Sequence, residues 1–356
     1  MAVAGVALAA VYSTASAPTQ AATGCKLAKV ATIPLVQDGN RLLAEVVING
    51  KPAHMLVDTG AWMSIINRPA LGRLGLRAVD GGGEMIGVDG TSRLLQTTMD
   101  TLELGTWHGK DVRVYVGGYG NDNDGDMVGM LGMDLLERYD MEFNVHDNLL
   151  SLYKPEGCDG KVLAYWSDSY NVVEMEEMQG SRSHIRLVVS VNGQPVHAEL
   201  DSGASITLMD EGVARRLGVD VNNGDAEKAG SIRGANGYLV PAHIGVFDTF
   251  AIGDENIRHA KLRLTDLYGA VGEAYVGSRL QTSYRDTDLY LGADFLRSHR
   301  VYIASSQRKI YFTYAGGPVF QVIGPALVQG PDGTTAASGS PHAKPPMADP
   351  PPQPKQ

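Results

Sequence analysis

The chain has 356 residues, 44% hydrophobic and 20% charged, and its 30 Lys+Arg against 40 Asp+Glu leave a formal net charge of −10. At about 150 residues per domain, that length is enough for two domains with substantial cores. The acidic balance argues against a generic nucleic-acid binder, which needs a basic face to displace counterions. Two cysteines exclude a disulfide-dense scaffold and a four-cysteine zinc site, and no apolar run reaches the roughly 18 residues of a membrane-spanning helix.

Residues 1–24 read as a leader. An Ala/Val/Leu/Gly run from Ala2 to Val11 is followed by the small residues Ser13 to Ala17 and by Pro18, the pattern of a cleaved secretory segment without its usual preceding Lys or Arg. The expected location is therefore periplasmic or secreted. Lipid anchoring at Cys25 is a lesser alternative, because Ala22-Thr23-Gly24-Cys25 lacks the Leu of a lipidation signal. In an oxidising compartment Cys25 and Cys158 could pair, a question the sequence leaves open because it carries no Cα separation. At the other end, residues 324–356 are rich in Pro, Gly, Ala and Ser and cannot bury enough apolar surface to order themselves.

Between these ends lies an internal repeat. Leu42 to Ala61 reads LLAEVVINGKPAHMLVDTGA and Ile185 to Ala204 reads IRLVVSVNGQPVHAELDSGA, in register without a gap at an offset of 201 − 58 = 143. Each copy opens with an alternating apolar run, an Asn-Gly turn (Asn49-Gly50, Asn192-Gly193) and a second β-prone run, which predicts a hairpin. Short helices are expected around Pro69 to Leu74 and Asp210 to Leu217, the latter N-capped by Asp210. Gly-rich stretches then follow at Gly81 to Gly90 and Gly230 to Gly237, suited to loops that close over a site. Both copies finish on Leu-Gly-x-Asp (Leu131 to Asp134, Leu291 to Asp294) and two further strands. There the offset is 292 − 132 = 160, so the second copy carries 160 − 143 = 17 extra residues, placed mainly in Tyr268 to Asp288. The expected fold is mainly β: two homologous lobes, 27–154 and 170–315, joined by a connector at 155–169, with few short helices.

The second strand of each hairpin runs into Asp58-Thr59-Gly60-Ala61 or Asp201-Ser202-Gly203-Ala204. One such motif alone reads as an ordinary turn; two at matched places in a repeat call for a chemical reason. Two carboxyl groups held close cannot both ionise, so one keeps a proton as an acid while the other serves as a base. Thr59 and Ser202 supply hydroxyls that can anchor two closely approaching loops. Gly60 and Gly203 let the backbone come near and turn N–H groups toward the carboxylates, and Ala61 and Ala204 add little bulk where the lobes would meet.

These motifs, with Ser64 and Thr207 at the same later position and the downstream Leu-Gly-x-Asp-(Leu/Phe)-Leu, resemble the retropepsin-like aspartic proteases across nearly all of 30–315. The resemblance implies one closed β lobe per copy with pseudo-twofold symmetry, a flap from each Gly-rich segment and one active site between the lobes. Asp58 and Asp201 would then be catalytic, and Gly87, Gly90, Gly234, Gly237 and Tyr238 would be candidate flap or substrate-binding residues. It further implies an aspartic endopeptidase acting on peptide or protein substrates by direct attack of water. Both half-sites lie on one polypeptide, so a monomer suffices. The two flap segments differ from each other and do not closely match retroviral flaps, so no substrate preference carries over.

Other motifs carry less. His54 and His197, each four residues before the Asp, are expected on an exposed strand face. Asp134 and Asp294 are expected to N-cap short helices. The acidic run Asn121 to Asp126 fails the calcium-loop template, since counting from Gly125 puts Gly120 and Leu131 at its first and twelfth positions. There is no His-Glu-x-x-His, no Cys pair at ligand spacing and no Gly-x-Ser-x-Gly, so no metal, other cofactor or serine nucleophile is expected. Two alternatives stay open: a non-catalytic periplasmic binder of a peptide or envelope ligand using the same cleft, and pairing of each lobe with a lobe of another chain.

Overall fold

A computed structural model describes residues 24–320, apart from 82, 88–89, 118–125, 178–183, 235–238 and 270–286, together with 328–329 and 335–336. Residues 1–23, most of the acidic run, Gly237 and Tyr238, most of the 268–288 insertion and nearly all of 324–356 lie outside the described residues.

Each Asn-Gly pair makes the expected turn. Asn49 and Gly50 have φ of 51° and 74°, and Asn192 and Gly193 have 49° and 74°, the left-handed pair that matches the twist of a two-residue hairpin. The turns join β2 (Arg41–Ile48) to β3 (Lys51–Val57) and β13 (Arg186–Val191) to β14 (Gln194–Leu200). Alternation does the rest: Leu187, Val189 and Val191 of β13 and Val196, Ala198 and Leu200 of β14 are buried, so one face of each strand is committed to a core.

Six strands close each lobe. In the first, β2 and β3 are joined by β4 (Ile65–Asn67), β7 (Leu95–Leu104), β8 (Trp107–Gly117) and β9 (Met127–Leu131), in the order β2-β3-β9-β4-β8-β7 with β7 pairing back onto β2. In the second, β15 (Leu208–Asp210), β17 (Leu239–Ile252), β18 (Glu255–Thr265) and β19 (Leu289–Leu291) complete the order β13-β14-β19-β15-β18-β17, and β17 pairs back onto β13. The two barrels correspond strand for strand. The fold is mainly β, as expected, with helices among the described residues limited to short pieces: α1 (Ala70–Leu74), α2 (Met133–Leu136), α3 (Glu211–Arg216), α4 (Ala293–Ser298) and two single 3₁₀ turns. Asp210 does N-cap α3, accepting from the N–H groups of Gly212 and Val213 at 2.9 and 3.2 Å.

A third sheet ties the barrels together. β1 (Lys26–Asp38), β10 (Asp140–Asn144) and β11 (Leu149–Glu156) meet β12 (Asn171–Glu174), β20 (His299–Ala304) and β21 (Lys309–Tyr314) in the order β12-β21-β20-β10-β11-β1. At its centre β10 and β20 run antiparallel, with Met141 opposite Ile303 and Phe143 opposite Val301. Under the 160-residue offset each of these pairs maps onto the other, so the pseudo-twofold axis passes between them. The connector packs on this sheet: Leu163 and Ala164 are buried, the Trp166 indole N–H donates to Thr313 Oγ1 at 2.9 Å, and Cys158 is disulfide-bonded to Cys25. Buried Glu142 is satisfied there by Tyr153, Tyr165 and Arg300 at 2.7 Å each.

Candidate active site

β3 and β14 deliver Asp58 and Asp201 to the seam between the barrels. Each strand pairs in parallel with the strand that precedes a Leu-Gly-x-Asp ending, and the pairing continues one step further: Asp58 N–H donates to Leu131 O at 3.0 Å and Asp201 N–H to Leu291 O at 2.9 Å. Past that point the chain turns back over its own carboxylate. Gly60 and Ala61 N–H groups donate to Asp58 Oδ1 at 3.0 and 2.9 Å, and Gly203 and Ala204 donate to Asp201 Oδ1 at 2.8 and 3.2 Å.

The two loops are interlocked by the hydroxyl residues. Thr59 Oγ1 donates to Leu200 O at 2.7 Å and accepts from Ser202 N–H at 3.0 Å; Ser202 Oγ donates to Val57 O at 2.7 Å and accepts from Thr59 N–H at 3.0 Å. Both side chains are 0% exposed, so each of these four bonds replaces water at a buried polar group. The approach tolerates no side chain at the glycines. A Cβ on Gly60 would stand 2.6 Å from Asp201 Cγ, and one on Gly203 would stand 2.3 Å from Asp58 Cγ.

These contacts bring the two carboxyl groups together at the seam, each against the glycine of the opposite loop. Loss of water raises the Asp58 carboxyl well above its ordinary range, and the adjacent Asp201 charge and hydrogen bond raise it further. Asp201 is also raised, first by loss of water and then by the nearby Glu199 charge, while the hydrogen bond from Asp58 and those from Ala204 and Gly203 work the other way. Two acids so placed share a proton as a pair, and their titration belongs to the pair.

Asp134 and Asp294 depart from expectation. The N-caps of α2 and α4 are Gly132 and Gly292, and neither Asp caps its helix. Each carboxylate instead reaches across to the loop that follows the active-site Asp. Asp134 accepts from Ser64 N–H and Oγ at 2.9 and 2.7 Å, and Asp294 accepts from Thr207 N–H and Oγ1 at 3.0 and 2.7 Å. Ser64 and Thr207 in turn accept from the N–H groups of Gly132 and Gly292, both at 3.0 Å. The reason is that the strand-to-helix turn faces buried donors on the neighbouring loop, a demand stronger than that of a helix four to six residues long. Burial pushes the Asp294 carboxyl up to about 6.

Of the flap candidates, Gly87 and Gly90 face each other across a hairpin of β5 (Glu84–Gly87) and β6 (Gly90–Arg93). Its base is tied to the Asp58 loop, since Met85 and Met63 share a buried cluster with Ile65 and Leu94. Gly234 follows β16 (Glu227–Arg233), which pairs with β17; Gly237 and Tyr238 are outside the described residues. His54 faces Glu45 across the β2–β3 pair, and exposed His197 pairs with Glu176 at 2.9 Å. Neither is a hydrogen-bond partner of Asp58 or Asp201. Two residues beside the site were not singled out by the sequence. Trp62, next to Ala61, is 51% exposed, and Glu199, two residues before Asp201, is buried. Their signal was asymmetry at repeat-equivalent positions, where the other copy has Ser205 and Leu56.

The family model described as "gag-polyprotein putative aspartyl protease" matches residues 44–138, and the model described as "Aspartyl protease" matches residues 187–295. The chain belongs to the retropepsin-like aspartic protease family and carries two such domains. Among solved structures it is similar to an aspartic proteinase from Irpex lacteus, at 10% identity and a TM-score of 0.46, over 80% of this chain and 96% of that one. No curated protein matches it by sequence.

Proposed function

We propose that the protein is an aspartic endopeptidase whose Asp58 and Asp201 act as one acid–base pair at the lobe interface. The observation that carries this reading is the reciprocal packing of each glycine against the other lobe's carboxylate, which brings the two carboxyl groups together. In the single-proton state, the ionised member takes a proton from a water lying between them as its oxygen attacks the peptide carbonyl carbon. The protonated member donates to the carbonyl oxygen, giving a neutral tetrahedral diol. Breaking the C–N bond then sends one proton to the leaving nitrogen and leaves a carboxyl product, an amine product and a pair still holding a single proton. No acyl-enzyme forms.

Incubation of the purified protein with a mixed peptide library at several pH values, with and without a statine-type inhibitor, tests the reading. Inhibitor-sensitive cleavage at acidic pH that disappears in Asp58→Asn and in Asp201→Asn is expected. Cleavage by Asp58→Asn at the native rate, or tight peptide binding without turnover, would overturn it. Because one chain supplies both acids, specific activity should not change on dilution to a monomeric mass. We place the protein in the periplasm or outside the cell, a reading supported by the Cys25–Cys158 disulfide; cell fractionation with thiol labelling of the denatured protein tests it.

A further inference from the structure

The face of the second barrel behind Asp201 is built differently from its counterpart behind Asp58. Glu199 lies in β14 two residues before Asp201, which directly follows the strand's last residue and continues its pairing, so alternation turns both side chains to the same side. Its side chain is only 5% exposed. Opposite it across the β13–β14 pair stands Arg186, and beside it in the parallel β14–β19 pair stands Tyr290. His184 Nδ1 lies 2.6 Å from Glu199 Oε1, and Thr287 Oγ1 donates to Oε2 at 3.3 Å. At the same 143-residue offset the first barrel has Leu56 facing Leu43, an apolar pair with no charge. A carboxylate buried in this place costs free energy that a leucine would avoid, so its position behind only one of the two acids calls for an account.

We propose that Glu199 is a positioning residue of the active-site pair, a third carboxylate whose negative charge sets the pH range over which Asp58 and Asp201 together hold one proton. The inference rests on the proposed acid–base role of that pair. A neighbouring negative charge opposes each ionisation of the pair, so it shifts the single-proton window to higher pH. The direction agrees with the contribution of the Glu199 charge to the Asp201 carboxyl.

The other groups facing Glu199 make the effect partial rather than full. Arg186 offsets the charge and is itself shared with Glu176, at 3.8 Å. His184 offsets it when protonated. Tyr268, whose hydroxyl donates to Thr287 O at 2.5 Å and lies near Asp210, and Tyr290 both have hydroxyls raised above their ordinary range by burial first and by Glu199 among other charges, so they stay neutral throughout. The charge of the third acid is therefore damped but not cancelled.

Glu199→Gln keeps the side chain's shape and its reach to His184 and Thr287 while removing the charge. Both limbs of its kcat/KM against pH profile are expected to move to lower pH by about half a pH unit or more, with the maximum within about threefold of wild type. The double variant Arg186→Leu/Glu199→Leu installs the pair of the first barrel and should shift the profile in the same direction. A superimposable profile in an active variant overturns the inference, as does a uniform loss at every pH or failure of both variants to fold, which would make Glu199 structural. Asp58→Asn separates the two failures. If it cleaves peptides, the acid–base reading falls; if it is inactive while Glu199→Gln is active and unshifted, only the role of Glu199 falls.

Discussion

The two barrels hold their active-site loops by the same device and surround them with different chemistry. In both, a hydroxyl residue six positions after the Asp is clasped by an aspartate from the Leu-Gly-x-Asp turn, with near-identical distances of 2.7 Å for Ser64 to Asp134 and for Thr207 to Asp294. Behind the loops, Leu43 and Leu56 of the first barrel are replaced by Arg186 and Glu199 in the second. The geometry across the axis is equal, because each glycine loop packs against the carboxylate of the other. What tunes each acid separately has diverged, since electrostatic effects from behind a loop do not require symmetry.

The strongest way to break the comparison is to remove one acid at a time. Asp58→Asn and Asp201→Asn should each lower kcat on a cleaved peptide by at least about a hundredfold, with far-UV circular dichroism unchanged. A loss confined to one of the two would show that the halves are not equivalent partners.

The aspartate clasps come next. The native protein keeps a proton on Asp294 up to about pH 6, whereas the unfolded chain releases it near the ordinary value of 3.8. Between these values the native state binds more protons, so this group's contribution to stability is complete below about pH 4 and falls as pH rises through 6. Urea unfolding of wild type and Asp294→Asn at pH 4 and pH 7 should show wild type losing about 2–3 kcal/mol more than the variant over that interval. An equal loss in both proteins would rule this out.

Smaller effects are expected from the hydroxyl interlock. Thr59→Val leaves Ser202 N–H without its acceptor and Leu200 O without its donor, and should cost about 1–3 kcal/mol in urea unfolding. Thr59→Ser and Ser202→Thr, which keep the hydroxyl, should each stay within about 1 kcal/mol of wild type. If valine is tolerated as well as serine, the interlock is not what holds the barrels together. Smallest of all, His197→Ala removes an exposed pair with Glu176 and should change stability by less than about 1 kcal/mol without altering the pH profile.

Much of this was legible from local pattern. The Asn-Gly hairpins, the capping of α3 by Asp210 and the matched Asp-(Thr/Ser)-Gly-Ala loops follow from alternation and turn chemistry that a short window contains, whereas the closed barrel per copy was implied by the family resemblance. The clasp was not legible, because Asp134 next to a helix start satisfies the same local pattern as an N-cap. Its choice of Ser64 over the helix depends on donors 70 residues away. The role of Glu199 was hidden for a similar reason: on an alternating strand it occupies an outward position, which reads as solvent-facing until another element covers it. The disulfide was open for want of a distance between Cys25 and Cys158.

By itself, then, the sequence determined that there are two copies of one β unit and that each brings one aspartate on a Gly turn to the end of a strand, since periodicity and turn preference act over a few residues. Long-range packing added that the ends of both copies leave their barrels to form one six-stranded sheet, that each glycine lies against the opposite carboxylate, and that a third acid is buried behind only one of them. Those outcomes depend on what packs against a strand's free face or edge, and that is set by segments outside any short window of the chain.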